Sequence, residues 1–161
     1  GGVSVGEYDF VKEVFEEIGI EVKFSKVAMR PGKPTTFGVM GEKLFFGLPG
    51  NPVSCMVCFE QFVRPALLKK MGHQNLFRPQ VEAILENDVE TKKNFRFFIR
   101  VRLITKDGKL YATTTGDQGS GILKSMMLAN GLMVVPEDKT LVKAGEKVKV
   151  QLLTSAFVNQ G

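Results

Sequence analysis

Histidine and cysteine, the side chains that most often serve as metal ligands and nucleophiles, are scarce in this chain. The 161 residues contain one histidine, His73, and two cysteines, Cys55 and Cys58. Two cysteines do not form the disulfide framework of a small secreted domain, so a reducing, cytoplasmic setting is expected. A redox C-x-x-C pair would need to stand at the very start of its helix, and a zinc site would need two further ligands. We therefore interpret both cysteines as core thiols about one helical turn apart.

Long apolar runs and strong basic tracts are also missing. No stretch reaches the roughly 18–20 apolar residues of a membrane span, and no signal-peptide pattern is present, although a chain without its true N-terminus could not show one. We expect no membrane association. Lys and Arg outnumber Asp and Glu by 9 to 8 in residues 1–75 and by 13 to 9 in residues 76–161. Because no basic run alternates with aromatics, we expect a small anionic ligand and no nucleic acid.

A glycine-rich turn opens the chain. Gly1, Gly2 and Ser4 belong to a run that suits an anion-binding loop between a buried strand and a helix, and a helix is predicted from Tyr8 to Ile18. No strand precedes this loop, which suggests that the chain is the C-terminal piece of a longer protein. The alternative is a flexible start with no function, since glycine-rich loops are common.

The first half has the pattern of an α/β fold. Alternating apolar residues predict a strand from Ile20 to Met29, and a hairpin follows over residues 35–48. The turn around Asn51 supplies a helix N-cap with Pro52 at the first helical position. The helix is expected to run towards Met71, and Pro65 must kink or divide it.

The second half has the pattern of a small all-β barrel or sandwich. Residues 73–79 read as a linker, and the strands are expected at residues 80–85, 95–105, 109–115, 132–135 and 146–153. Asp107-Gly108 favours a type I′ hairpin. A short helix is predicted over residues 122–129, and residues 154–161 are expected to fray. Met126, Met127 and Met133 are interpreted as core filling.

Several charged residues have two interpretations at this point. Lys26, Arg30 and Lys33 lie near one proline-bounded loop, where they suit a phosphate or another oxyanion, or form an ordinary solvated basic turn. Asp9 is either a favourable charge in the first helical turn or a ligand for Mg²⁺ beside a bound phosphate. Arg100 stands mid-strand, where it faces solvent unless another feature intervenes.

The combination of loops resembles the molybdopterin molybdenumtransferase family, which includes MoeA and the E-domain of gephyrin. The segments that carry the resemblance, in this order, are GGVSVGEYDF, KVAMRPGKP, FFGLPGNPVS, FVRPAL and TTTGDQGSG, the last followed by ANGL. The resemblance implies the C-terminal half of a MogA-like three-layer α/β domain, over residues 1–75. It implies that a small C-terminal β-barrel domain follows over residues 76–161.

The resemblance also implies a role for each matching position. Those expected to bind the molybdopterin cofactor are Gly1, Gly2, Ser4, Lys26, Arg30, Pro49 and Pro52. Those expected to bind molybdate are Arg30, Lys33, Ser54, Arg100 and Ser120. Asp9 resembles an acidic residue needed for activity, so it is the expected catalytic residue and Mg²⁺ ligand. Arg30 stands where the family usually has lysine, which keeps the charge but replaces a compact ammonium with a planar fork.

Members of this family take part in molybdenum cofactor biosynthesis. They bind adenylylated molybdopterin and molybdate, cleave the adenylate with Mg²⁺ and release of AMP, and insert molybdenum at the dithiolene. The resemblance implies a cytoplasmic enzyme that is a homodimer at full length and works with a MogA-type adenylyltransferase. This chain is then expected to be a fragment that is inactive alone. Two alternatives remain: a gephyrin-like scaffold that binds peptides, and a pterin- or anion-binding domain without turnover.

Overall fold

The computed structural model describes residues 8–154 of the chain. Gly1, Gly2 and Ser4 of the predicted glycine loop lie outside the described residues, as does the segment after Thr154 that was expected to fray. The chain divides between Leu76 and Phe77 into two compact units. The first contains helices and a small sheet, and the second a β-barrel, which confirms the predicted order of an α/β half and an all-β barrel.

The first unit opens with helix α1, Tyr8–Glu17. Its apolar stripe packs on the sheet, where the ring of Phe15 meets that of Phe45 edge-on with centroids 6.1 Å apart. The helix ends one residue earlier than predicted, and Ile18 is exposed. Gly19 adopts φ +81°, a left-handed conformation that ends a helix without steric cost.

A three-stranded antiparallel sheet follows. Its strands are β1 (Glu21–Ser25), β3 (Thr36–Met40) and β4 (Lys43–Gly47), in the order β1-β3-β4. The prediction of one strand from Ile20 to Met29 is wrong. Lys26 adopts φ +71°, which turns the chain out of the extended conformation, so β1 ends at Ser25 and Met29–Arg30 form a separate short strand, β2.

The long helix of the first unit is divided, as Pro65 requires. Helix α2 covers Pro52–Cys58, a π-helical turn covers Phe59–Val63, and helix α3 covers Arg64–Lys70. The Arg64 N–H donates to the carbonyl oxygen of Phe59, five residues back. Proline lacks an N–H and its ring collides with the carbonyl one turn earlier. The wider π-helical turn just before Pro65 is a known way to accommodate such an interruption.

The second unit is a five-stranded barrel with a small two-stranded ribbon. Its strands are β5 (Gln80–Leu85), β6 (Val89–Glu90), β7 (Arg96–Lys106), β8 (Lys109–Thr114), β9 (Gly131–Val135), β10 (Leu141–Val142) and β11 (Lys147–Leu152). The barrel order is β7-β8-β5-β11-β9, and pairing of β9 with β7 closes it. The β5–β8 pair is parallel, and the other barrel pairs are antiparallel. The β6–β10 ribbon was not predicted, because two-residue strands are too short to show alternation.

The side chains of strand β7 point alternately into the barrel core and away from it. Ile99, Val101 and Leu103 point into the core, so Arg100 and Arg102 point outward. Asp107 and Gly108 join β7 to β8 with φ +49° and +69°, as the predicted type I′ turn needs.

The methionines of the second unit differ in environment. Helix α4, Leu123–Met127, is shorter than predicted. Met126 and Met133 are buried, as expected. The prediction that Met127 fills the core is wrong, because its side chain is 78% exposed on the outer face of this short helix.

Candidate anion-binding loops

The basic loop between β1 and β3 is closed by its own backbone. The N–H of Lys26 donates to the carbonyl oxygen of Thr35 at 3.0 Å, and that of Val27 donates to the carbonyl oxygen of Lys33 at 2.8 Å. These bonds join the two ends of the loop and hold three cations on one short turn. Lys26, Arg30 and Lys33 are all exposed. The structure therefore brings together the three basic residues that the sequence singled out.

Thr35 and Cys58 support this loop from beneath. The buried Thr35 hydroxyl donates to the carbonyl oxygen of Gly32 at 2.7 Å and lies 3.0 Å from the Cys58 sulfur. Burial raises the pKa of the Cys58 thiol to about 11, so the sulfur is protonated and unreactive at neutral pH. Cys58 thus has the core role predicted for it, whereas Cys55 is only half-buried.

The second proline-bounded loop leads into α2. Pro49 is buried, Asn51 occupies the N-cap position and Pro52 begins the helix. Ser54 is 4% exposed and lies four residues before Cys58, which places both on one face of α2. That face is the one on which the basic loop packs through Gly32 and Cys58. The basic loop therefore contacts the face of α2 that carries Ser54 and Cys58.

Arg100 in the second unit is 1% exposed, so the solvent-facing interpretation is wrong. Its side chain does point away from the barrel core, but the segment 116–121 and α4 cover it. The guanidinium Nε donates to the Ser125 Oγ at 2.9 Å, and Nη2 donates to the carbonyl oxygens of Asp117 and Gly119 at 3.3 and 3.1 Å. Burial lowers the pKa of Arg100, and the charge of Asp117 partly offsets this. Arginine nevertheless stays protonated in proteins, so a positive charge lies directly beneath this segment.

The segment that covers Arg100 carries Ser120, which is half-buried. The Gly119 N–H donates to the Asp117 carboxylate at 2.7 Å, which closes a local turn just before Ser120. Arg100 on β7 thus lies beneath the segment that carries Ser120. Sequence reasoning missed Gln118 and Ser125, which also bond to Arg100. The polar GDQGSG run, which contains Gln118, is visible in the sequence, but its contact with Arg100 on β7 is not.

Three further points concern metal ligands, Asp9 and membrane-spanning helices. Among the residues that the structure describes, no group of three or more His, Cys, Asp and Glu side chains is arranged to hold a metal ion. Asp9 lies in α1, but its side chain lies outside the described part. Within residues 8–154, no helix has the length and apolar character to cross a membrane.

Comparison with known proteins gives a consistent result for both units. Residues 82–153 match the family described as the MoeA C-terminal region (domain IV), and residues 1–69 match a probable molybdopterin binding domain. A molybdopterin molybdenumtransferase of Bacillus subtilis is 37% identical over 95% of this chain. The molybdenum cofactor synthesis protein cinnamon of Drosophila melanogaster is 36% identical over 99% of it. The chain spans 36% and 27% of these two proteins' lengths.

A solved structure shows the same arrangement of elements. A molybdopterin biosynthesis MoeA protein from Pyrococcus horikosii superposes with a TM-score of 0.76 at 35% identity, over 91% of this chain and 35% of that one.

Proposed function

The chain belongs to the MoeA family, and from that premise we propose that it forms the part of a molybdopterin molybdenumtransferase that holds molybdate beside molybdopterin. In this proposal the protein inserts molybdenum into the dithiolene of adenylylated molybdopterin, with Mg²⁺-dependent release of AMP. The observation that carries the proposal is Arg100, a buried guanidinium beneath the loop that presents Ser120. Burying a charge costs free energy unless it is paired and hydrogen-bonded, and an anion bound at Arg100 would supply such a partner.

Molybdate is a tetrahedral dianion, so basic side chains with a hydroxyl donor are suited to replace its water shell. Lys33 and Arg30 of the basic loop, Ser54, Arg100 and Ser120 are the proposed molybdate ligands. Among the residues that the structure describes, Arg100 Nε and Nη2 have hydrogen-bond partners, and Nη1 is the guanidinium nitrogen proposed to meet an anion.

Adenylylated molybdopterin is proposed to bind on the first unit. Its proposed contacts are Gly1, Gly2, Ser4, Lys26, Arg30, Pro49 and Pro52. Because the dithiolene sulfurs are themselves the ligands of molybdenum, insertion needs no protein nucleophile. The residues of this chain would then hold two anionic partners together and offset their repulsion.

Asp9 is proposed to bind Mg²⁺ during cleavage of the adenylate. Mg²⁺ is commonly held by one or two carboxylates together with substrate phosphates, rather than by a cage of protein ligands alone. The lack of a three-residue metal cluster within residues 8–154 is therefore compatible with a single carboxylate at Asp9. The metal would supply positive charge at the phosphate. A MogA-type adenylyltransferase as supplier of the substrate, a homodimer and a cytoplasmic location complete the proposal.

The test compares two arginines of the same strand in the full-length protein. Arg100→Ala should weaken molybdate binding by about one to two decades, since charge-assisted hydrogen bonds contribute about 1.5–3 kcal/mol each. Binding of molybdopterin should change much less. Arg102→Ala is the matched control, because Arg102 also points outward from β7 but is exposed. Unchanged molybdate affinity in Arg100→Ala would refute the assignment.

A further inference from the structure

Gln118 makes an unusual pair of contacts with the backbone of Arg100. Its side-chain Oε1 accepts from the Arg100 N–H at 2.9 Å, and its Nε2 donates to the Arg100 carbonyl oxygen at 3.2 Å. Nε2 also donates to the carbonyl oxygen of Gly116 at 3.0 Å. The Gln118 amide therefore links Arg100 on β7 to Gly116, the residue at which the chain turns away from β8. Only asparagine and glutamine carry a donor and an acceptor in this arrangement.

The amide continues the β-ladder where the neighbouring strand stops. Strand β8 ends at Thr114, which pairs with Val101, and the Thr115 N–H donates to the Arg100 carbonyl oxygen at 3.1 Å. Gly116 then turns away with φ +90°. Beyond that point, the Gln118 side chain takes the place of a strand residue and satisfies the Arg100 N–H. The Gln118 side chain is thus one of the contacts that hold residues 116–119 on β7.

The guanidinium of Arg100 is oriented by the same segment. Its Nη2 donates to the carbonyl oxygens of Asp117 and Gly119, the residues on either side of Gln118. Removing the Gln118 amide would take away one of the two sets of bonds that hold this segment on β7, and would leave the Arg100 guanidinium alone to hold the carbonyls of Asp117 and Gly119. Ser120, the residue after Gly119, would then be less restrained.

We propose that Gln118 is a positioning residue for oxyanion binding, fixing the segment 116–121 on β7 so that Arg100 and Ser120 face the anion in one arrangement. This inference rests on the proposed function. Gln118 itself is not proposed to contact the ligand. Its loss acts through the arrangement of Arg100 and Ser120, so it should alter molybdate recognition rather than the rate of the chemical step.

The experiment uses the full-length protein, with Gln118→Met as the test variant. Methionine has a similar length but cannot form the three amide hydrogen bonds. Gln80→Met is the matched control, because Gln80 is exposed on β5. We expect Gln118→Met to raise the KM and the Kd for molybdate about tenfold, the size of effect expected when hydrogen bonds that organise a binding loop are lost. The kcat should change less than about threefold, as expected when binding alone is affected.

Gln118→Asn provides a second test, since it keeps the amide on a side chain shorter by one methylene. Its molybdate KM should lie between those of the wild type and Gln118→Met. If Gln118→Met does not fold, an unchanged KM in Gln118→Asn overturns the proposal by itself.

The outcomes separate this inference from the proposed function. If Arg100→Ala binds molybdate more weakly than the wild type, as proposed, but Gln118→Met has the wild-type KM, the positioning role is wrong and the proposed function stands. A lower melting temperature and kcat with an unchanged KM would show a purely structural role, which also overturns the inference. If the wild type does not bind molybdate, both fail.

Discussion

Replacing Gly32 by alanine should strain the basic loop in two ways. Gly32 adopts φ +109°, a conformation that residues with a Cβ rarely adopt. The added Cβ would also lie 2.5 Å from the Cys58 sulfur and 3.1 Å from the Met29 Cε. The sulfur is held in place by its contact with Thr35, so it cannot retreat freely.

The two effects can be given magnitudes. A backbone held in a sparsely populated region costs about 1–3 kcal/mol, and overpacking of a filled site costs about 1–3 kcal/mol. Gly32→Ala should therefore lower the free energy of unfolding by about 2–6 kcal/mol. Gly41 is the matched control, with φ +57° and no heavy atom within 4 Å of an added Cβ. Gly41→Ala should cost only about 1–2 kcal/mol, the backbone contribution alone.

Urea denaturation of the full-length protein measures both variants. The double variant Gly32→Ala/Cys58→Ala removes the colliding sulfur, so its cost should be smaller than the sum of the single costs by about 1 kcal/mol or more. The reasoning is refuted if Gly32→Ala costs no more than Gly41→Ala, or if the Gly32 and Cys58 costs simply add.

Three further predictions follow from the same structure. The Cys58 thiol has a pKa raised by burial to about 11 from 9.0, so its stabilising contribution is complete below pH 9.0 and is lost as the pH rises through about 11. A pH series of melting temperatures should show this loss in the wild type and not in Cys58→Ala. Asp9→Asn should keep a near-normal melting temperature, because a first-turn carboxylate contributes about 0.3–1 kcal/mol, yet lose Mg²⁺-dependent hydrolysis of adenylylated molybdopterin. A near-normal rate with a lowered melting temperature would make Asp9 structural. Ser120→Ala should weaken molybdate binding up to about tenfold by equilibrium dialysis, since one hydroxyl hydrogen bond contributes about 0.5–1.5 kcal/mol; an unchanged Kd would remove Ser120 from the site.

The elements that could be predicted are those whose cause is local. The apolar residues Ile99, Val101 and Leu103 alternate along β7 and face the core, and Asp107-Gly108 favours the hairpin turn that follows this strand. Pro65 divides a helix wherever it stands in the interior. The early end of β1 was not predictable in this way, because the left-handed Lys26 is held by the bond from its N–H to Thr35, nine residues away.

The residues of the candidate site show the same distinction between local and long-range causes. Lys26, Arg30 and Lys33 share one loop in the sequence and in the structure, so local pattern was enough to group them. The burial of Arg100 depends on a segment that lies 17–19 residues further along the chain and folds back over β7. Strand alternation gave the direction of the Arg100 side chain correctly but could not show what covers it. The same long-range contact explains why Gln118 and Ser125 were missed.

The most direct test of the proposed molybdate site is a crystal structure of the full-length protein soaked with molybdate, with the metal located by its anomalous scattering. We predict a molybdenum peak whose oxygens lie within hydrogen-bonding distance of the Arg100 guanidinium and the Ser120 hydroxyl. A well-occupied peak elsewhere, with Arg100 and Ser120 making no contact to the anion, would contradict it.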